Sequence, residues 1–357
     1  MVRLQYEATV RGHLDAVWWL HEQLHQRGQA PARNGGDDLL AIAIRNGHFD
    51  TARFIVDNRY QLSRHTSISR CAQYGILEMI KRLHSRQRIQ GTGGWIDEAA
   101  GAGHLHVLQW LHAHKSGSTC TGYAMSHTAA WSGHLEVIKW LHANRQEGWS
   151  IIVMDKVAKH GHLEIVSWLH TNRHEGCTTA TMDKAAMGGH LRVVQWLHAN
   201  RREGCTTRAM DGAGKFGHLA IVQWLHTYRL EGCTTNAMDF TSSLEVMQWL
   251  YDHQAEWWTA VAMADASSDG KFEKLFFLRA KDLGFVRQFA RDALDYTYRQ
   301  THFELSQWLR ANYSQQVSNA DAQAGARRIL LSSSMWSQFF EFEAACKRVI
   351  EATKASA

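Results

Sequence analysis

Apolar residues along this chain fall into a pattern that returns every 28 residues. In GHLEVIKWLHANRQEG (133–148), GHLEIVSWLHTNRHEG (161–176), GHLRVVQWLHANRREG (189–204) and GHLAIVQWLHTYRLEG (217–232), the leading glycines Gly133, Gly161, Gly189 and Gly217 stand 28 apart. Within each segment Leu135, Ile138 and Leu141, or their equivalents, recur at threes, and Val137 and Trp140 widen the stripe. Spacing by three and four gathers these residues on one broad helical face. Ahead of the glycine runs a shorter segment with a methionine (Met154, Met182, Met210, Met263) and then a pair of small residues. Those pairs are Ala99–Ala100, Ala129–Ala130, Val157–Ala158, Ala185–Ala186 and Ala213–Gly214. The pattern predicts first helices such as 181–188 and 209–216, able to approach one another closely at the small pair. The glycine ends each of them in the left-handed region. Each unit is thus a helix, a turn and a second helix, closed by a short polar turn.

With the glycine as marker, about eleven units begin at Gly12, Gly47, Gly75, Gly103, Gly133, Gly161, Gly189, Gly217, near Ser242, at Gly270 and near Thr301. The first interval is 35, with an insertion in QRGQAPARNGGDD, and the interval to Ser242 is 25, three residues short between Met238 and Leu244. A fixed period of this size marks a stacked-repeat architecture. In such a stack a recurring residue serves the packing of the units, and a residue that breaks the pattern is the better candidate for function.

The phrase AMDxAAxxGHLEVVxWLH, assembled from these copies, resembles an ankyrin repeat, with AMDxAA standing where that family has TPLHxAA. The resemblance covers about residues 5–312. The family unit is about 33 residues, and the shortening here falls in the turn between units. The Trp and His of WLH replace family leucines, a variant similar to ankyrin sets of oomycetes and some large DNA viruses. The resemblance implies an all-α, right-handed solenoid with little or no β-finger over 1–313. It also implies a protein-binding role along a concave face, without catalysis. Asp155, Asp183, Asp211 and Asp239 replace the family histidine; an acid in a first helical turn suits the positive helix end, so a capping role is expected. Beyond Tyr313 the register is lost, and 314–357 reads as two further helices, around 320–331 and 335–352, that cap the stack.

Composition narrows the choice. The chain has 357 residues, a single proline (Pro31) and a formal charge of +5. Much of the basic content is opposed locally, as in Arg145 with Glu147, Arg173 with Glu175, Arg201 with Glu203 and Arg229 with Glu231. A nucleic-acid binder more often shows an unopposed basic stripe, so that role ranks below protein binding. No apolar stretch reaches the ~18–20 residues of a membrane span, and the charged N-terminus lacks the apolar run of a secretory signal. A cytoplasmic location and no membrane partner are expected. Six cysteines, three of them (Cys177, Cys205, Cys233) 28 apart and exchanging with Trp149 and Trp258, read as packing thiols in a reducing compartment.

One catalytic pattern stands out: His21-Glu22-Gln23-Leu24-His25, an HExxH run that on a helix sets two imidazoles on one face with Glu22 as general base. It offers a zinc-dependent hydrolase as the alternative. However, the third ligand of the extended pattern falls on Pro31, and His21 is the first unit's WLH histidine, in line with His112, His142, His170, His198 and His226. Equivalent histidines of adjacent units lie about 8–10 Å apart, too far for three to meet at a zinc ion that holds each ligand near 2 Å. The GH histidines are expected to bond at helix starts, and the WLH histidines to favour helix C-termini. The tryptophans of the second helices are read as core. No GxGxxG, P-loop or GxSxG occurs, so neither a cofactor nor a small-molecule substrate is expected.

By the family resemblance, partner contacts fall on the inter-unit turns and on the pair of residues before each marker glycine. These pairs vary while their flanks do not. Tyr74, Trp131, Lys159, His160, Met187, Lys215 and Phe216 are the candidate protein-binding residues, with the aromatics of the type enriched at interface hot spots.

Overall fold

A computed structural model describes residues 2–27, 39–58, 64–86, 94–114, 132–144, 149–253, 258–299 and 302–313. The insertion 28–38 and the expected cap 314–357 lie outside the described residues. The chain divides into two compact units, Met1–Thr178 and Thr179–Ala357. All regular structure among the described residues is helical, and none of it is strand.

In the first unit the helices pair as Val2–Arg11 with Leu14–Gln26, Leu39–Arg45 with Phe49–Asp57, Arg64–Gln73 with Leu77–Arg86, and Gly94–Gly101 with Leu105–Ala113. Leu135–Asn144 and the pair Ile151–Lys159 with Leu163–Asn172 complete it. The second unit continues the series with Thr179–Met187 and Leu191–Asn200, Thr207–Lys215 and Leu219–Tyr228, then Asn236–Asp239 and Leu244–His253. Ala260–Ser268 with Phe272–Lys281 and Leu283–Arg299 with Phe303–Asn312 end it. The core of each unit is built from the expected stripes. Val137, Ile138 and Leu141 are buried in one copy, and Val193, Val194 and Leu197 in another, together with Met182, Met210 and the small pairs Ala99–Ala100, Val157–Ala158 and Ala185–Ala186. Those pairs admit close neighbours: a Cβ on Gly214 would lie 3.1 Å from that of Ala237 on the next first helix.

The turn within most described copies is a Schellman closure. The amide of Gly161 donates to the carbonyl of Ala158 and that of His162 to Val157, and the same two bonds recur at Gly47–His48, Gly103–His104, Gly189–His190 and Gly217–His218. Gly189, at φ 82°, meets a second demand, because a Cβ there would stand 2.7 Å from the ring of His218 in the next copy. In the same way the ring of His104 lies over Gly75, that of His134 over Gly103 and that of His162 over Gly133. The GH histidines thus do not cap their own helices, as the sequence suggested. They reach back one copy. Nε2 of His48 bonds the carbonyl of Val10 at 3.0 Å, Nε2 of His104 that of Gln73 at 3.1 Å, and Nε2 of His302 that of Ser268 at 2.7 Å.

The aspartates also bind across copies. Asp183 is the fifth residue of its helix, beyond the first turn, and its two oxygens accept the amide of Thr206 at 2.8 Å and the hydroxyl of Thr206 at 2.7 Å. Asp211 holds Thr234 and Asp239 holds Thr259 by the same two bonds. Each threonine oxygen then accepts an amide of its own helix: Arg208, Asn236 or Val261, all at 3.2 Å. The acid therefore orients the N-cap of the following copy, a helix start that would otherwise leave its first amides unsatisfied.

The WLH residues form a third ladder. The imidazole of His84 stands perpendicular to the Trp110 ring at 5.3 Å, that of His112 to Trp140 at 5.1 Å, and that of His142 to Trp168 at 5.1 Å. In the second unit His198 meets Trp224 and His226 meets Trp249 in the same perpendicular geometry. Substituted rungs keep the contact: Tyr251 against Phe277, and the Arg279 guanidinium over Trp308 at 5.4 Å. Six of these tryptophans, from Trp110 to Trp249, are half-buried, not core as expected; only Trp308 is buried, and Trp19 is exposed. The turns repeat as well, with Arg173 on Glu175, Arg201 on Glu203 and Arg229 on Glu231. Arg173 also lies over Trp149 at 4.3 Å. A Cβ on Gly204 would strike Arg229, whose charge also acts on the thiol of Cys205; burial pushes that thiol up to about 11, far from reactive.

Candidate interaction surface

The pair before each marker glycine sits where the first helix gives way to the Schellman turn. That turn uses main-chain groups, so it leaves these side chains free to vary. Tyr74 is 41% exposed and Phe216 55%, and Lys159 and Lys215 are exposed. Trp131 lies outside the described residues. The two remaining candidates are half-buried. The His160 ring stacks on His162 at 6.5 Å, and Met187 packs beside Gly212, where an added Cβ would come within 3.0 Å of its own.

Only one group among the candidates is drawn together. The ammonium of Lys215 lies 5.8 Å from the centroid of Phe216 and 5.1 Å from that of Phe240 in the next copy, and Phe216 stacks on His218 at 6.5 Å. Lys215, an exposed residue, thus places its ammonium over two aromatic rings. Phe240 was missed because three residues are absent from its copy, which moves it out of register with the other pairs. Its signal was the phenylalanine directly after AMD, where the other copies carry Lys or Gly. Tyr74 and Lys159 belong to the other compact unit.

The HExxH residues are placed differently from a metalloprotease site. His21 and His25 lie on Leu14–Gln26 with ring centroids 6.4 Å apart, but the edge of His21 is turned onto Phe54 at 5.5 Å. Glu22 is exposed and accepts from Gln26 at 3.4 Å. Burial, then the neighbouring charge of His25, holds His21 below the ordinary histidine range, against the opposing pull of Glu22. His21 makes the first rung of the aromatic ladder. Among the described residues no three His, Cys, Asp or Glu side chains gather as ligands would, and no helix is long and apolar enough to cross a membrane.

A family model described as ankyrin repeats (many copies) matches residues 123–170 and 182–226, which include five of the described candidate residues: Lys159, His160, Met187, Lys215 and Phe216. None of the curated proteins compared with the chain matches it.

Proposed function

Because this chain carries ankyrin repeats, a module generally used for protein–protein interaction, we propose that it is a non-catalytic platform for partner proteins, bound through exposed first-helix ends and turns. The observation that carries this reading is exposed Lys215 and Phe216 beside half-buried Phe240, a set that offers apolar area next to a held charge. The recurring histidines, aspartates and tryptophans have structural partners in the adjacent copy, which removes the main source of candidate catalytic groups. Cys71, Cys177, Cys205 and Cys233 form no disulfide, in keeping with the reducing interior of a cell.

The test compares partners crosslinked in cells to the wild-type chain with those crosslinked to Tyr74→Ala and to Phe216→Ala, each verified to melt like wild type. A discrete set of proteins lost with Phe216→Ala supports the reading. Identical sets from all three chains would remove the proposed surface.

A further inference from the structure

The copies from residue 236 onward break the pattern together. One first helix is cut to Asn236–Asp239, Lys274 is buried where most copies bury Val or Ile, and the last first helix, Leu283–Arg299, runs 17 residues against nine in Thr207–Lys215. The extra length brings Phe285 against Trp258 at 6.0 Å and onto Phe289 at 5.0 Å. The long helix packs beside Ala260–Ser268, and between them lies a cleft of about 170 Å³ lined by Val261, Met263, Ala264, Phe289, Asp292 and Tyr296 among others.

The lining is apolar except at one point. Met263 is buried, while Val261 and Tyr296 are 42% and 39% exposed at the mouth. Among the described residues Asp292 is the only charged side chain on the wall; it is exposed and pairs with no described cation. The other nearby acid, Asp265, is already neutralised by Lys274 at 2.6 Å and Lys271 at 3.2 Å. A cavity of about 150 Å³ accepts a benzene-sized group, so this one has room for a single leucine side chain or phenyl ring. A carboxylate beside an apolar wall attracts a cation more strongly than one in open water. One occupant satisfies both features.

We infer that this cleft seats a leucine or phenylalanine side chain of a partner polypeptide whose adjacent residues are arginine or lysine. This rests on the proposed protein-binding role and names the chemistry of one partner segment. A random dodecapeptide phage library panned on the immobilised full chain tests it, with Asp292→Lys and Ala264→Phe as variants. Wild type is expected to enrich peptides with Leu or Phe flanked by Arg or Lys. Synthetic copies of two of these should bind Asp292→Lys about tenfold more weakly and Ala264→Phe not detectably. Enriched peptides without a flanking basic residue, no enrichment at all, or equal affinity for wild type and Asp292→Lys would overturn it. Asp292 is exposed, so its variant keeps the test open should Ala264→Phe fail to fold. Peptides lost on Phe216→Ala but unchanged on Asp292→Lys would overturn the cleft while leaving the broader binding role standing.

Discussion

The ammonium of Lys274 donates to the main-chain carbonyl of Asp239, 35 residues earlier, and lies 2.6 Å from the carboxylate of Asp265. That carbonyl ends the helix Asn236–Asp239, in the copy that is three residues short, so the lysine supplies a donor in place of the missing turn. Lys274 is 1% exposed, at the position of Val137 and Val193, and burial holds its pKa below the usual lysine value despite both acceptors. Lys274→Met is expected to cost about 2–4 kcal/mol, since it leaves the Asp239 carbonyl without its donor and takes one of two cations from Asp265. Urea titration measures it. Adding Asp265→Ala should recover part of the loss, and a lysine of no structural consequence would leave the midpoint unmoved.

The marker glycines differ in a way that can be measured. Gly189→Ala places a methyl 2.7 Å from the His218 ring in a backbone at φ 82°, whereas Gly47, at φ 76°, has nothing within 4 Å. The copy after Gly47 begins Gly75–Ile76 and brings no imidazole. Gly47→Ala is therefore expected to cost only the left-handed backbone penalty, about 1–2 kcal/mol, and Gly189→Ala clearly more. Equal losses in chemical denaturation would show that the ring contact adds nothing.

Asp183 separates charge from hydrogen bonding. Burial raises its pKa, opposed by the amide and hydroxyl of Thr206. Asp183→Ala strands both donors and should cost about 1–3 kcal/mol. Asp183→Asn keeps an acceptor for the amide and is expected to cost less. A reversed order in thermal melts would mean that the negative charge itself secures the next helix start.

Acid should weaken the first unit. Burial, and for His134 the adjacent imidazoles of His104 and His162, holds His104 and His134 below the ordinary histidine value. The unfolded chain then binds protons that the folded one resists, so stability rises with pH across this window. The contribution is complete above about pH 6.5 and is lost as pH falls toward the depressed folded values. Melting temperatures at pH 7.5 and 5.5 should differ, and His134→Gln should narrow the gap. No narrowing would exclude this imidazole column as the cause.

The period, the helix pairs, the glycine-ended first helix and the buried stripe were all legible in the residues, because each depends on spacing within one copy. The partners of His104, Asp183 and His142 were not. A strict repeat looks the same whether a side chain binds its own copy or the next, since moving along the stack by one unit leaves the pattern unchanged. Sequence could therefore say that Asp183 recurs with Asp211 and Asp239, but not that it holds Thr206. Phe240 escaped because a three-residue deletion moved it out of alignment, and the cleft beside Asp292 because it depends on how the lengthened helix Leu283–Arg299 lies on its neighbour.

The three ladders share one reach: each rung, whether Asp183 to Thr206, Gly189 to His218 or His198 to Trp224, extends a single copy along the chain. Such a chain can be shortened or lengthened like a string of identical beads. Excising 207–234 would leave Asp183 on Thr206 and bring His198 opposite Trp249, a smaller protein with two of its three joints kept and Ser243 in place of the His218 ring beside Gly189.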